Sequence, residues 1–214
     1  MIYIITGHYG SGKTEIALHL ALSLKQPTVI DLDIVNPYFR TEDAREVLAK
    51  AGVRLISPQF ANTNVDIPAV PAEVLAALQG GGDVVIDVGG DDDGAVVLGR
   101  YNAYLREVPY EMYFVINKRR PLTACAEDVI RMIQNVEAAS RLSVTKLMNN
   151  THIKTETTAA DVLDGQTLVE EVSHKTGIPL GAIAGTRGVV AGIKTNLPLM
   201  PLELRLNLPW ERGV

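Results

Sequence analysis

The sequence predicts a three-layer α/β fold, with a mostly parallel central sheet and helices on both of its faces. Short apolar runs rich in β-forming residues alternate with longer stretches of helical period, which is the pattern of strands joined by crossover helices. The chain has 214 residues, of which 47% are hydrophobic, so it can bury a large core. We expect a single domain over residues 1–214.

The apolar runs are short and rich in β-forming residues, which favours strands. One of them, Arg54 to Ser57, is weaker than the others. The clear strand candidates are Ile2 to Thr6, Thr28 to Asp31, Val84 to Val88, Met112 to Asn117, Lys146 to Asn149 and Leu180 to Ala184.

The stretches of helical period predict helices between these strands. Thr41 has the residue type of an N-cap and Gly52 that of a C-cap. Two connections are long, 32–40 and 150 to about 164, and function concentrates in such loops. The predicted helices are Lys13 to Leu24, Glu42 to Ala51, Ala72 to Gln79, Ala95 to Glu107, Cys125 to Arg141 and Thr167 to Lys175.

Composition argues against several classes of function. The net charge of -5 gives no overall attraction to phosphate backbones or anionic lipid, so we expect no nucleic-acid partner. Cys125 is the only cysteine, which excludes an internal disulfide framework and a metal site of several thiolates within one chain. No stretch approaches the ~20 apolar residues of a spanning helix. We expect a cytoplasmic protein without a membrane partner.

The stretch GHYGSGKTE, Gly7 to Glu15, has the spacing of a phosphate-binding loop between a strand and a helix. Its glycines leave room for backbone N–H groups to surround phosphate oxygens. Lys13 is placed to reach the β- and γ-phosphates, and the Thr14 hydroxyl to bind Mg²⁺. The predicted nucleotide contacts in this loop are Gly7, Gly10, Ser11, Gly12, Lys13, Thr14 and Glu15.

A second element, VVIDVGGDDDG, spans Val84 to Gly94. Asp87 ends its apolar run and is placed to hold Mg²⁺ through water, while Gly90 is placed to donate its N–H to a γ-phosphate. The acidic run 91–93 is interpreted as a solvated turn or N-cap before a helix at Gly94, in preference to a metal site, because consecutive side chains of an extended segment point in alternating directions.

A third element, VIDLDIVNPYFRTED, places Asp31 and Asp33 at the end of the second predicted strand. Together with the loop, it resembles the MinD/ParA/nitrogenase iron protein branch of the P-loop NTPases, which belongs to the SIMIBI class. The resemblance implies a P-loop NTPase fold that binds Mg–ATP. It further implies that Asp33 orients the attacking water, that Asp31 supports Mg²⁺ hydration, and that Lys13 acts on the phosphates during catalysis.

Members of the resembled family commonly carry K-G-G-x-G-K-T, whose early lysine reaches across a homodimer to the partner's nucleotide. His8 and Tyr9 occupy the first two places of that motif in this chain. A neutral imidazole does not replace a fixed ammonium, although protonation beside phosphates would restore part of the charge. The resemblance therefore implies an ATP-dependent homodimer only weakly, and His8 is left either as an exposed loop residue or as a partial substitute for the lysine.

Two predicted strand ends indicate which base the nucleotide carries. VINKRRP begins like the guanine-reading N-K-x-D but has Arg120 where the carboxylate must accept from guanine, which disfavours GTP. KLMNNTH ends in Asn149 and Asn150, and an amide there both donates to and accepts from adenine. The resembled family uses an asparagine at this strand end, and we favour Asn150 over Asn149 as the base contact.

Three functions remain open at this stage. The first is a switch ATPase that serves an unknown client protein or the assembly of a cofactor or metal centre. The second is an ATP-dependent transferase or ligase for a small molecule, because dethiobiotin synthetase and cobyrinate amidating enzymes share the resembled fold; Arg100, Arg106, Arg119 and Arg120 are its candidate acceptor contacts. The third is a nucleotide-binding module with little turnover.

Overall fold

The computed structural model describes residues 1–33, 44–57, 71–90 and 92–204, with the backbone alone at 92 and 93. Its strands form one sheet in the order β3-β2-β4-β1-β5-β6-β7-β8, and every neighbouring pair is parallel. The strands are β1 Ile2–Gly7, β2 Thr28–Leu32, β3 Arg54–Ile56, β4 Val84–Val88, β5 Tyr110–Ile116, β6 Lys146–Asn149, β7 Leu180–Thr186 and β8 Leu199–Leu202.

Helices connect these strands, and 3₁₀ turns occupy Pro121–Thr123 and Lys154–Glu156. None of the described helices is long and apolar enough to cross a membrane. The helices are α1 Lys13–Ser23, α2 Arg45–Lys50, α3 Ala72–Gln79, α4 Asp92–Gly99, α5 Asn102–Leu105, α6 Ala126–Ser140, α7 Ala159–Thr176 and α8 Arg187–Val190.

Both faces of the sheet are buried, which confirms the predicted three-layer α/β fold. On one face, Ile4 and Phe114 pack in a core cluster with Val129 of α6. On the other face, Ile5 and Ile16 belong to the cluster that α1 covers. A parallel strand covered on both sides has no solvent face, so its sequence is an almost continuous apolar run instead of an alternating one.

All the predicted strands are present, and their ends differ from the predicted ones by at most two residues. The eighth strand, β8, was not predicted. It is short and contains Pro201, which does not donate a hydrogen bond to a ladder. Proline is tolerated there because β8 pairs only with β7 and forms the edge of the sheet.

Two helix predictions were wrong in extent. The helix predicted over Ala95 to Glu107 is two helices, α4 and α5, because the chain turns after Gly99 against α6, where an added Cβ would lie 2.6 Å from the Ala139 carbonyl oxygen. The helix predicted over Thr167 to Lys175 begins at Ala159, where Thr158 and Asp161 form a capping box. The connection predicted over 150 to about 164 is correspondingly shorter.

The second predicted helix spans Arg45–Lys50 in the described residues and ends one residue before the predicted end at Ala51, while its predicted start at Glu42 lies outside them. Gly52 follows its end with a φ of +75°, a conformation that glycine adopts without strain. The predicted cap Thr41 lies outside the described residues. The helix after β4 begins at Asp92, two positions before the predicted start at Gly94, so Asp92 and Asp93 belong to its first turn.

Candidate functional site

The glycine-rich loop predicted from the sequence joins β1 to α1 at the carboxyl end of the sheet. It lies between the ends of β4 and β5, because β1 pairs with both strands. Gly7, Gly10 and Gly12 have φ values of +143°, +72° and +85°, which other residues rarely adopt. A side chain at position 7 would also overlap the Val115 carbonyl oxygen. The glycines are therefore required by the path of the backbone.

Side chains that follow β5 and β6 donate hydrogen bonds to backbone carbonyl oxygens of this loop. The Nε–H of Arg120 donates to the Gly10 carbonyl oxygen at 2.9 Å, and the Asn117 amide reaches the same oxygen at 3.4 Å. The Asn150 amide donates to the Ser11 carbonyl oxygen at 2.7 Å. Because a trans peptide points its C=O and N–H in opposite directions, the N–H of Gly12 points away from Asn150. The bonds thus orient the loop's peptides.

Lys13 begins α1 and turns its ammonium back over the loop. The side chain is only 6% exposed, and its Nζ donates to the His8 carbonyl oxygen at 3.2 Å. Gly90, after β4, lies against the same group, since an added Cβ there would be 2.9 Å from Nζ and 2.7 Å from the Tyr9 nitrogen. The loop and the end of β4 therefore meet at a buried positive charge.

Three carboxylates lie on the β2 and β4 side of this charge. Asp31 and Asp87 are 7% and 1% exposed, and they face each other in register on β2 and β4, with Cα atoms about 4.8 Å apart as in any sheet. The Asp33 N–H donates to Asp31 Oδ1 at 3.0 Å. An added Cβ on Gly89 would lie 3.1 Å from Asp33 Oδ1. Buried like charges this close require compensating positive charge.

The donor set fits Mg²⁺ only as a shared site. Among the described residues, no group of three or more His, Cys, Asp or Glu side chains is placed to hold a metal by itself. Mg²⁺ is commonly held by one or two carboxylates together with water and substrate phosphates. Asp31, Asp87 and the hydroxyl of Thr14, which lies in the first turn of α1, are residues of that kind.

The end of β6 carries the two asparagines predicted as base contacts. Asn149 is fully buried, and its amide donates to the Val162 carbonyl and to Gln166 while its oxygen accepts from Thr151 N–H. These bonds tie β6 to α7. Asn150 is instead directed at the loop. Of the two amides, Asn150 is the one that the structure brings to the site.

His152 is also close to the loop, and its role was not predicted. Its Nε2 is buried without a hydrogen-bond partner in the described part of the chain, and an added Cβ on Gly12 would lie 3.3 Å from that atom. The Nδ1 atom accepts from the Lys154 N–H at 3.4 Å. Burial, with the positive charges of Arg120 and Lys154, lowers the pKa of His152 to about 4. The imidazole is therefore neutral at pH 7.

Most residues that the sequence singled out surround one space at the end of β1. The roles assigned to them in binding and catalysis stay predictions. Asn117 and Arg120 were not predicted as supports of the loop, because VINKRRP was interpreted as a base-recognition segment and Arg120 also as an acceptor contact. Their function depends on β5 lying beside β1, which no local pattern indicates. The predicted residues at this space are Gly7, Gly10, Ser11, Gly12, Lys13, Asp31, Asp33, Asp87, Gly90 and Asn150, with Thr14 and Glu15 following in the first turn of α1.

A cavity of about 390 Å³ opens beside this space, on the α6 face of the sheet. Its polar lining comes from His8 of the loop and from Arg131 and Asn135 of α6. Phe114, Met132 and Val136 supply apolar walls. The cavity adjoins Gly89 and Gly90 and is large enough for part of a small organic molecule.

Comparison with known proteins shows similarity at the level of structure. No protein-family profile matches the sequence, and no curated protein is similar to it in sequence. Among solved structures, the cell division protein FtsY of Thermotoga maritima superposes with a TM-score of 0.59 and 18% identity over 86% of this chain and 61% of FtsY.

Two further structures have the same fold. The 54 kDa protein of the signal recognition particle from Aeropyrum pernix K1, in complex with GDP, has a TM-score of 0.52 and 20% identity over 84% of this chain and 40% of its own. A nucleotide-binding protein from Archaeoglobus fulgidus, in complex with ADP, has a TM-score of 0.52 and 14% identity over 89% of this chain and 83% of its own.

These structural similarities concern the fold of the chain. This chain spans less than two thirds of the length of the FtsY and signal recognition particle structures, and all three identities are below 25%. The narrower resemblance to the MinD/ParA branch stays a prediction. The chain has the fold of the SIMIBI-class P-loop NTPases.

Proposed function

We propose that this protein is a switch ATPase, which binds Mg–ATP and hydrolyses it to drive a task performed with a partner protein, such as the assembly of a cofactor or metal centre. One observation carries the proposal. The buried Lys13 ammonium, the glycine-rich loop and the ends of β2 and β4 converge on one space. A cation, the backbone N–H groups of the loop and carboxylates thus lie together, as hydrolysis of a triphosphate requires.

The loop and Lys13 bind and orient the phosphates. The first N–H groups of α1 have no partner inside the helix, and they add to the loop's donors around an anion. Lys13 and Gly90 meet at the β4 side of the loop, so the γ-phosphate is assigned to that side. A Gly90 that contacts the γ-phosphate is then released when the phosphate leaves, which is the basis of a switch.

Asp33 is the residue proposed to orient water. It follows β2, and its carboxylate lies over Gly89 at the assigned γ-phosphate end. The hydrogen bond from its N–H to Asp31 fixes its backbone relative to the buried carboxylate. Asp31, Asp87 and Thr14 would hold Mg²⁺, which, when bound, neutralises charge on the phosphate oxygens.

Adenine is the proposed base. Asn150 points to the loop from the end of β6 and donates one amide hydrogen to Ser11, which leaves the carboxamide oxygen as an acceptor for the adenine amino group. GDP in one of the similar structures and ADP in another support a purine nucleotide without distinguishing the base. The absence of a guanine-reading carboxylate after Asn117 supports ATP.

The client is identified only by class, as a protein that recognises the nucleotide state. The alternative partner is a second copy of this chain, in a homodimer closed by ATP that has His8 where the resembled family has lysine. His8 is partly exposed at the start of the loop, and the neighbouring Tyr9 is 51% exposed. Contacts through Tyr9 rather than a trans-acting cation would then stabilise such a dimer.

A second candidate function is an ATP-dependent transferase or ligase. The cavity lined by His8, Gly90 and Arg131 favours it, because an acceptor bound there would lie beside the assigned γ-phosphate end. Of the arginines predicted as acceptor contacts, Arg106 is bound to the Arg141 carbonyl and Arg119 to carboxylates of α7. Arg131, which pairs with Asp128 of the same helix, is the arginine that lines the cavity, and it is added to the candidate acceptor contacts.

Calorimetry with Mg–ATP tests the binding site. Lys13→Ala is expected to remove most of the affinity, since Lys13 is the only cationic side chain within the loop. Lys25→Ala is the matched control, because Lys25 is exposed after the end of α1, and it should bind ATP like the parent protein. Equal affinity in Lys13→Ala and the parent would contradict the proposed site.

Single-turnover hydrolysis separates the two functions. A switch ATPase hydrolyses ATP without an acceptor, and adding cell extract as a source of client changes the rate. A transferase has a basal rate near background, and it transfers phosphate to a small molecule in the low-molecular-weight fraction of the extract. Transfer to such a molecule would replace the switch function by the second candidate.

A further inference from the structure

The basic triplet Lys118, Arg119 and Arg120 divides into two parts after β5. Lys118 Nζ pairs with Asp164 at 2.6 Å, and Arg119 pairs with Asp161 at 2.7 Å and with Asp164 at 3.2 Å. These two cations are therefore matched by carboxylates of α7. Arg120 makes no ion pair with any carboxylate in the described ranges. Its charge is left for another anion.

Arg120 is held in a fixed orientation at the loop. Its Nε–H donates to the Gly10 carbonyl oxygen at 2.9 Å. A Cβ added to Gly10 would lie 2.8 Å from Nε, 2.9 Å from Cζ and 3.1 Å from Nη2, so the plane of the guanidinium lies directly against Gly10. A guanidinium has five N–H donors, and only the Nε–H is bound to a described residue. The N–H donors of the two Nη groups are therefore not bound to any described residue.

Arg120 lies on the side of the loop away from the carboxylates of β2 and β4. Lys154 and the neutral His152 lie on the same side of the loop as Arg120, while Asp31, Asp33 and Asp87 lie at the ends of β2 and β4 on the opposite side. A partly buried guanidinium that pairs with no described carboxylate is suited to phosphate, because its planar fork forms charge-assisted bonds with phosphate oxygens.

The position of Arg120 selects which phosphates it reaches. Lys13, Gly90 and Asp33 mark the γ-phosphate end on the β4 side. Arg120 follows β5 and approaches the loop at Gly10, together with Asn117 of the same strand end. If the γ-phosphate of a nucleotide lies at Gly90, its α- and β-phosphates and its nucleoside lie toward β5 and β6.

We propose that Arg120 is a nucleotide-binding residue that contacts the α- and β-phosphate groups shared by ATP and ADP. The proposal rests on the proposed nucleotide site and adds a residue from β5 to it. Since the contact is present before and after hydrolysis, it stabilises the substrate and product complexes alike. It therefore slows the release of ADP and sets how long the product state lasts.

Calorimetry with Mg–ATP and Mg–ADP tests the contact. Arg120→Ala is expected to weaken both nucleotides to a similar extent, by about 10-fold or more, as for the loss of a charge-assisted hydrogen bond. Arg119→Ala is the matched control, because the neighbouring guanidinium is bound to α7, and its nucleotide affinities should stay within about twofold of those of the parent protein. Stopped-flow displacement of labelled ADP should show faster release from Arg120→Ala.

Arginine side-chain NMR separates a phosphate contact from a support of the loop. The ¹⁵N–¹H signals of the Arg120 Nη groups are assigned by their loss in Arg120→Lys. Saturating Mg–ADP is expected to shift these signals and to slow rotation about the Cζ–N bonds. A residue that only supports Gly10 would use its Nε in both states, and its Nη signals would not change.

The outcomes are distinguishable from failure of the proposed function. If the parent protein binds neither ATP nor ADP, the proposed nucleotide site is wrong. If the parent binds both and Lys13→Ala removes binding, but Arg120→Ala retains ADP affinity or the Nη signals do not respond to ADP, then the site stands and the role proposed for Arg120 is overturned.

Discussion

Acidification below pH 6.5 is expected to destabilise the protein through His152. The folded state holds its pKa at about 4, while an unfolded histidine has a pKa of about 6.5. Between these values the unfolded state binds a proton that the folded state excludes. The free energy of unfolding therefore decreases as the pH falls through this range, and the contribution of His152 is fully present only above pH 6.5.

The magnitude follows from the two pKa values. Their difference of about 2.5, at about 1.4 kcal/mol for each pH unit, gives about 3 kcal/mol. Carboxylates act at lower pH. The hydrogen bonds from Thr158, together with Arg119, hold the pKa of Asp161 at about 2, so the stability that this carboxylate adds is lost only below its ordinary range. Measurements above pH 4.5 thus isolate most of the histidine effect.

Urea denaturation at a series of pH values from about 7.5 to about 4.5 measures this effect, because that range covers most of the interval between the two pKa values. The parent protein is expected to lose about 2 to 3 kcal/mol over this range, and His152→Gln, which does not titrate, should lose much less. His174→Gln removes an exposed histidine of α7 and is the matched control. If His152→Gln has the same pH dependence as the parent, the histidine is not buried beside Gly12 as described.

Three more outcomes are expected. Gly165→Ala should destabilise the protein by about 1 to 2 kcal/mol, because overlap with the buried Thr151 side chain outweighs the helix propensity that alanine adds. Chemical denaturation measures this loss. Gly188→Ala is the control, because nothing lies within 4 Å of a Cβ added there. Asp33→Ala should reduce single-turnover ATP hydrolysis by about 100-fold while ATP binding survives. ATP should outcompete GTP, and Asn150→Ala should weaken ATP more than inorganic triphosphate.

Each of these outcomes has a distinct contrary result. A Gly165→Ala variant as stable as the parent would mean that α7 can move away from β6. Unchanged hydrolysis in Asp33→Ala would remove the assignment of the water-orienting residue and favour the transferase. Displacement of ATP by an equal concentration of GTP would remove the adenine assignment.

The elements predicted best are those whose residues determine them locally. β4 and β6 match the predicted ends residue for residue, since a short apolar run marks each of them. The start of α7 was missed because Gly165 interrupts the helical pattern. Its reason is not local, since glycine is needed there to admit Thr151 from the end of β6. The capping box at Thr158 was a local signal that would have indicated the start.

The same distinction applies to the site. The glycine-rich loop was predicted because its glycines, lysine and threonine lie close together in sequence. Asp87 and Asp31 were predicted from strand ends, and the register of β2 and β4 brings them together. Arg120 is more than a hundred residues from Gly10 along the chain, so its contact follows from the order of strands and was missed.

The strand order also gives the site a direction. Because β1 lies between β4 and β5, its loop has carboxylates on one flank and asparagines with a guanidinium on the other. Carboxylates repel phosphate unless a cation lies between them, whereas amides and arginine attract phosphate or a base directly. A nucleoside triphosphate bound as proposed would therefore have one favourable orientation, with its metal-bridged end at β4 and its nucleoside beyond β5. Reversal would place its base among Asp31, Asp33 and Asp87 and leave Arg120 without a phosphate. The orientation is thus set by which strands flank β1, before any residue contacts the base.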